Sequence, residues 1–377
     1  MGANPYLISC PPQMVKTGVD KLEVSLSLNI ENHGILNRLE NLKKLVQETI
    51  APCILVDFDR HKVFKWNLQR AGTRLYPYVL RSGDITLLLS TRDGESPIPN
   101  CRIEIGSVSS QENAFGIYQD LVELLEFYGL KRIDEVVSRV DLAADAIGTE
   151  IDGLKVSDKN RWISRARKFV VYYEDWDITG IMLGKGSLAL RVYEKSIELR
   201  KNKEKAKFFY DLWQCKEGTP VTRVEFQLRR EVLKEFATPM TTVAELSQNI
   251  DAVWQYCVND WARFASRSVD RKNDNQNREE SSSFWKKIQK AIFNLRQPGT
   301  HRIKSNLHKN LAALRKQARG CLLNFAAAAG HSADDFYGIM GTIQDVIQEE
   351  FSNYMTHKYD EFAKLFRIRR NEVYIGF

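Results

Sequence analysis

Residues 20–30, DKLEVSLSLNI, alternate polar and apolar positions with a period of two, the pattern of a half-buried strand. Leu36 to Thr49 has helical spacing instead. Apolar runs at 52–58, 61–67, 76–81 and 84–90 are separated by Gly, Asp and Arg, which predicts short strands joined by turns. Strand patterns recur in CRIEIGSV, EVVSRVDLAADA, FVVYYE, ITGIMLG, LALRVYEK and PVTRVEFQLRR. Helical spacing falls at 113–129, stopping at Gly129, and from about Ser196 to Trp213. Residues 15–236 therefore predict an α+β domain: a mixed, largely antiparallel sheet with helices on one face.

Beyond Thr241 the strand signal nearly vanishes. The spacing predicts a connecting helix over 241–265. The polar run SRSVDRKNDNQNREESSS predicts an exposed linker over 266–283. Residues 284–377 read as a helical, basic C-terminal domain for DNA or a partner. Within it, FAAAAGHSADDF (325–336) loosely resembles a helix–turn–helix corner.

Charge sharpens this division. The net charge of the 377 residues is +7, yet from Phe264 to Gly320 there are 14 Lys and Arg against 4 Asp and Glu. A basic segment beside a near-neutral domain suits a polyanion, although a solvated helix face gives the same count. No apolar run is long enough for a membrane span. The first residues lack the basic-then-apolar order of a secretory signal. Six cysteines stand far apart with no CxxC, which fits reduced thiols in a cytoplasm.

Four strand patterns share a triplet: Arg102-Ile103-Glu104, Arg139-Val140-Asp141, Arg191-Val192-Tyr193 and Arg223-Val224-Glu225. On a strand, residues i and i+2 point to one face. If the four strands are neighbours, one face gathers three acids, four guanidiniums and a phenol. Two readings stand open. One is a solvated face of cross-strand ion pairs, each contributing about 0.2–1 kcal/mol. The other is an active face. Clustered carboxylates with few histidines suit Mg²⁺ or Mn²⁺ rather than zinc. A tyrosine beside such a centre is a candidate nucleophile for a phosphodiester, whose charge a metal and guanidiniums stabilise in the transition state.

SRVDLAADAIG, TGIMLGKGSLALRVYEKSIE and TRVEFQLRRE, in that order, resemble the replication initiation factor (Rep_trans-type) family of rolling-circle initiators and relaxases of plasmids, phages and integrative elements. The resemblance covers about residues 20–236. It implies an HUH-nuclease-like fold and a site-specific nicking-and-closing endonuclease. In that pattern Tyr193 is the nucleophile joined to a DNA 5′-phosphate, leaving a free 3′-OH. Asp141 and Glu225 hold the metal, and Lys195 contacts phosphate. Arg191 joins them as a phosphate-neutralising residue. Asp145, four residues along the strand from Asp141, and Glu104, from the triplet pattern alone, are added metal candidates. The chain lacks the His-apolar-His pair of many rolling-circle nucleases, in keeping with a carboxylate-bearing branch.

Tyr172 and Tyr173 are a rival pair of nucleophiles. For DNA contacts the expectation is Arg139 and Arg223 on the triplet face, Trp162, Arg165, Arg167 and Lys168 in NRWISRARK, and Trp285, Lys286, Lys287 and Lys290 in the basic run; an amphipathic surface helix is the other reading of NRWISRARK. The expected partners are double-stranded origin DNA, the nicked single strand, a host helicase (the chain has no Walker motif) and a second copy of the chain in a homodimer. The alternatives are a relaxase with the same chemistry and a non-catalytic origin-binding protein.

Overall fold

The computed structural model describes residues 14–49, 51–56, 64–92, 94–150, 156–174, 176–270, 278–293 and, further on, 322–323, 325–332 and 334–357. The chain divides into two compact units, Met1–Arg302 and Ile303–Phe377.

The first unit opens with β1 (Val15–Ile30), α1 (Gly34–Glu48), β2 (Cys53–Val56), β3 (Trp66–Gln69), β4 (Tyr78–Ser82) and β5 (Ile85–Leu89). Then come β6 (Cys101–Ile105), α2 (Ser107–Phe127), β7 (Leu130–Ile147), β8 (Trp162–Ser164), β9 (Phe169–Glu174), β10 (Asp177–Gly184) and β11 (Leu188–Glu194). It continues through α3 (Lys195–Leu199), α4 (Lys203–Trp213), β12 (Val221–Arg229), α5 (Arg230–Leu233), α6 (Val243–Gln255), β13 (Ala262–Phe264) and α7 (Ser283–Lys290). Eleven strands form one sheet in the order β2-β3-β4-β5-β6-β1-β7-β12-β11-β10-β9, and β13 pairs with β8. Every ladder between these strands is antiparallel. The fold is α+β.

The alternation has its expected outcome. The triplet centres Ile103, Val140, Val192 and Val224 are all fully buried, in one core with Leu39 of α1, Leu121 of α2 and Trp254 of α6. A smaller cluster joins Phe209 and Trp213 of α4 to Leu199, Val221 and Ile147. It caps one end of the polar face, where Phe209 lies against Arg223.

The helix expected over 196–213 is broken in two. Asn202 caps α4 by accepting from the Lys205 amide, so the chain turns there. The helix of 241–265 ends early: α6 widens into a π-turn over Tyr256–Trp261 and then becomes β13. These elements and α7 fall within the same compact unit as the sheet, Met1–Arg302. The linker expected over 266–283 is folded back at both ends. Ala265 bridges Ser281, and the Ser266 amide donates to the Glu280 carbonyl; residues 271–277 lie outside the described residues.

Two tryptophans expected to contact DNA are core residues. Trp162 is on β8, not on a surface helix, and meets Phe264 at 4.7 Å and Trp285 at 5.4 Å between ring centroids. Trp285 is fully buried and its indole N–H donates to the Val258 carbonyl at 2.8 Å. The hydrophobic effect wins here because α7 has its apolar face against the π-turn. Trp285→Ala should lower stability by about 3–5 kcal/mol in denaturant titration, with DNA affinity unchanged at temperatures where the variant is folded.

In the second unit, α8 (Phe336–His357) follows a helical turn that ends at Gly330, whose φ of +92° suits glycine. Most of the basic run beyond residue 293, and the helix expected over 308–329 apart from its last turn, lie outside the described residues.

Candidate active site

Strand order decides which triplets meet. β11, β12 and β7 are adjacent, so Tyr193 pairs with Arg223 and Arg223 with Asp145 in one row. The next row sets Arg191 beside Glu225 and Glu225 beside Ala143; the following one sets Gln227 beside Asp141. Directly paired residues share a face. Tyr193, Arg191, Glu225, Arg223, Asp141 and Asp145 therefore all project from the polar side.

Tyr193 is half-buried, and its hydroxyl donates to Glu225 Oε2 at 2.9 Å. Arg191 donates to Glu225 Oε1 at 3.0 Å and to Gln227 Oε1 at 2.8 Å. Burial, then the charges of Asp20 and Asp141, push the Glu225 carboxyl up to about 7, against the pull of Arg191 and Arg223. Burial and then the Glu225 charge hold the Tyr193 phenol well above its ordinary value. Burial likewise raises Asp141, although Arg139 grips it through Nε at 2.8 Å and through Nη2.

Asp20 was not legible as a site residue. It sits at a register shift of β1 against β7, between Val19 and Lys21. A bulge re-aims a side chain, and here it places Asp20 against Arg223. The adjacent polar pair Asp20-Lys21, which interrupts the strand alternation, is the signal that marks it.

Several expected residues have other work. Asp145 spends both oxygens on buried partners: Oδ1 receives Arg223 Nε at 2.6 Å, and Oδ2 receives Trp213 Nε1 at 2.9 Å. Arg223 is fully buried between Asp145 and Asp20, out of reach of DNA; burial opposes its charge, but those two acids outweigh burial and raise it. Glu104 is on β6, separated from β7 by β1. There it pairs with Arg102 at 2.9 Å, in a lattice that also joins Glu23 to Lys21, Arg102 and Arg139. Arg139 is committed to this lattice and to Asp141, not to DNA. Half of the polar face thus is the ion-pair surface of the first reading.

Lys195 begins α3 and is almost fully buried, with its ammonium 2.7 Å from Glu198 Oε2. It lies 5.6 Å from the Tyr193 ring centroid and 5.2 Å from that of Phe209. Burial, then the Arg223 charge, lowers it to about 8. The ammonium stands behind the tyrosine ring and is not presented to a phosphate. Arg165, Arg167, Lys168, Lys286, Lys287 and Lys290 are all exposed.

Among the described residues no three acidic, histidine or cysteine side chains form a ready metal cage. Magnesium is commonly held by only one or two carboxylates together with substrate phosphate. Asp141 and Asp20 are the oxygen donors closest to that set, but Arg139 takes both oxygens of Asp141 and Arg223 one of Asp20, so a cation there would have to displace guanidinium contacts.

No family model and no curated protein matches the chain. Among solved structures it is similar to that of the rolling circle replication initiator protein from Geobacillus stearothermophilus, at 13% identity and a TM-score of 0.40, covering 75% of this chain and 100% of that one. No helix among the described residues is long and apolar enough to cross a membrane.

Proposed function

We propose that the chain is a DNA strand-nicking and rejoining enzyme, an initiator of rolling-circle replication, with Tyr193 as nucleophile and Glu225 as its proton acceptor. The observation that carries this reading is the hydrogen bond from the Tyr193 hydroxyl to Glu225 Oε2. A nucleophile within hydrogen-bond reach of a base, itself oriented by a third group, is the general arrangement of covalent catalysis; Arg191 is that third group. The order of the three motif blocks supports the rolling-circle assignment.

In the proposed step the Tyr193 oxygen forms a bond to phosphorus and its proton passes to Glu225. The bond from phosphorus to the 3′-oxygen breaks, and that oxygen takes a proton from solvent to become a 3′-OH. The strand is left joined through its 5′-phosphate to Tyr193. Arg191, at the open side of the row, would face the phosphate charge. Rejoining is the reverse, with a 3′-OH as the attacking group.

Mg²⁺ or Mn²⁺ is part of the proposal. Asp141 and Asp20 would hold it, and it would supply positive charge opposite the non-bridging phosphate oxygens. The exposed Arg165, Arg167, Lys168, Lys286, Lys287 and Lys290 are proposed to contact the DNA backbone, with affinity that falls as salt rises.

The test is to incubate the full chain with supercoiled DNA carrying its native origin and Mg²⁺ or Mn²⁺, then digest and map any peptide joined to nucleotide by mass spectrometry. The expected adduct is on the peptide containing Tyr193. An adduct on Tyr172 or Tyr173, or DNA binding with no adduct under any divalent cation, would overturn the assignment.

A further inference from the structure

Three exposed aromatic residues are not used by the chemistry above, and Tyr172 and Tyr173, consecutive on β9, point to opposite faces of it. In the β9–β10 hairpin Tyr172 is 46% exposed, Tyr173 57% and Trp176 96%.

Register places one of them in the row of the nucleophile. Gly180 pairs with Tyr193 on one side and with Tyr172 on the other. The three positions share a face, with two aromatic side chains flanking a position that has none. The glycine is required: a Cβ at 180 would stand 2.8 Å from the Tyr193 Cβ and 3.1 Å from the Val192 carbonyl oxygen. The result is a cleft of about 420 Å³ over Gly180, lined by Tyr172, Arg191 and Tyr193 among others. That volume is at the small end of ligand pockets. Tyr172 and Tyr193 are two strand spacings apart, roughly 9–10 Å, which leaves room between them for one flat ring. Of the cleft's other charges, Lys201 pairs with Glu174 at 2.9 Å and Glu198 with Lys195 and Lys205, while Glu194 accepts from the Ser196 hydroxyl and the Val221 amide. A flat, uncharged ring bearing one phosphate beside Arg191 matches this lining.

We infer that the Tyr172–Gly180 cleft is a base-stacking subsite that takes one unpaired nucleotide of a DNA strand, with its base on the Tyr172 ring and its phosphate toward Arg191. This rests on the proposed nicking function for the identity of the strand, but its test does not need cleavage. Stacking on an aromatic ring is sequence-tolerant, so the subsite orients the strand without choosing its sequence. A duplex does not fit, because its bases are already stacked on one another.

The test is equilibrium binding of the full chain, in EDTA, to a single-stranded 12-mer oligodeoxynucleotide containing 2-aminopurine. The parent should bind with altered 2-aminopurine fluorescence. Tyr172→Ala should weaken binding about 5- to 150-fold, the equivalent of about 1–3 kcal/mol per stacked base, and should abolish the fluorescence change. Tyr172→Phe should keep both. Gly180→Val should lose both, and its melting temperature separates a filled cleft from an unfolded chain; Tyr172 is exposed on an edge strand, so its variants report without that ambiguity. Equal binding by the parent and Tyr172→Ala, equal loss in Tyr172→Phe and Tyr172→Ala, or no binding by the parent would each overturn the subsite. A tyrosyl adduct assayed separately on supercoiled DNA stands or falls independently of this result.

Discussion

Tyr193→Phe is expected to abolish covalent joining to DNA while leaving the fold and DNA binding intact. The substitution removes one oxygen from a half-buried ring and keeps the ring's contact with Lys195. Glu225→Gln tests the other half of the pair. Loss of a positioned general base typically slows a reaction about 10²- to 10⁴-fold, and adduct formation should slow by that order in single-turnover assays. The pH profile should carry the same signature. Glu225 accepts a proton only when ionised, and its carboxyl lies at about 7. Adduct formation by the parent should therefore rise with pH through about 7 and level off above it, whereas Glu225→Gln should lose that rise. The sign for stability is the opposite. The folded carboxyl is raised above its ordinary value of 4.5, so the unfolded chain ionises first and stability is lost as pH rises from there through about 7. At pH 8 the Gln variant should melt no lower than the parent. An adduct yield in Tyr193→Phe equal to that of the parent would remove the nucleophile assignment.

Arg223→Leu is expected to be the most destabilising single change at the polar face. The guanidinium is fully buried and makes two bonds to Asp145 at 2.6 Å, besides its contact with Asp20. Removing one partner of a buried ion pair strands the other charge, at about 3–5 kcal/mol. Asp145 keeps only the Trp213 indole as a donor. Urea unfolding should show the loss, and adding Asp145→Asn should recover part of it, because the stranded charge is then gone. Arg223→Lys should not rescue, since an ammonium lacks the forked geometry that serves two carboxylates. Unchanged stability in Arg223→Leu would mean that this pair is not closed in the protein.

Both predictions turn on distinctions that local pattern does not make. The period of two was enough to place Arg191 with Tyr193, Arg223 with Glu225 and Arg139 with Asp141 on shared faces, and to bury Val192, Val224 and Val140 behind them. It could not rank the four triplets, because each has the same short-range chemistry. β1 inserts between β6 and β7, which assigns Glu104 to an ion-pair lattice, and the pairing of β11 with β12 sets Glu225 beside the phenol.

The same limit explains the misplaced residues. Asp145 looked like a fourth acid until Trp213, 68 residues away, used one of its oxygens. The resemblance made Lys195 a phosphate contact, but the strand ends one residue before it, and the helix start turns its ammonium beneath the ring. Trp285 lies in a basic run, yet its indole is held by a carbonyl 27 residues earlier. Asp20 needed a bulge to reach Arg223.

What the sequence alone determined is the strand periodicity, the polar face and the identity of the phenol on it, because these follow from bond geometry between near neighbours in the chain. Which acid meets that phenol, which arginines are buried and which aromatics are exposed were decided only by the tertiary structure. Those outcomes depend on strand order and on helices arriving from distant positions, and burial, set against the charges of buried partners, then shifts the titration of the groups they cover.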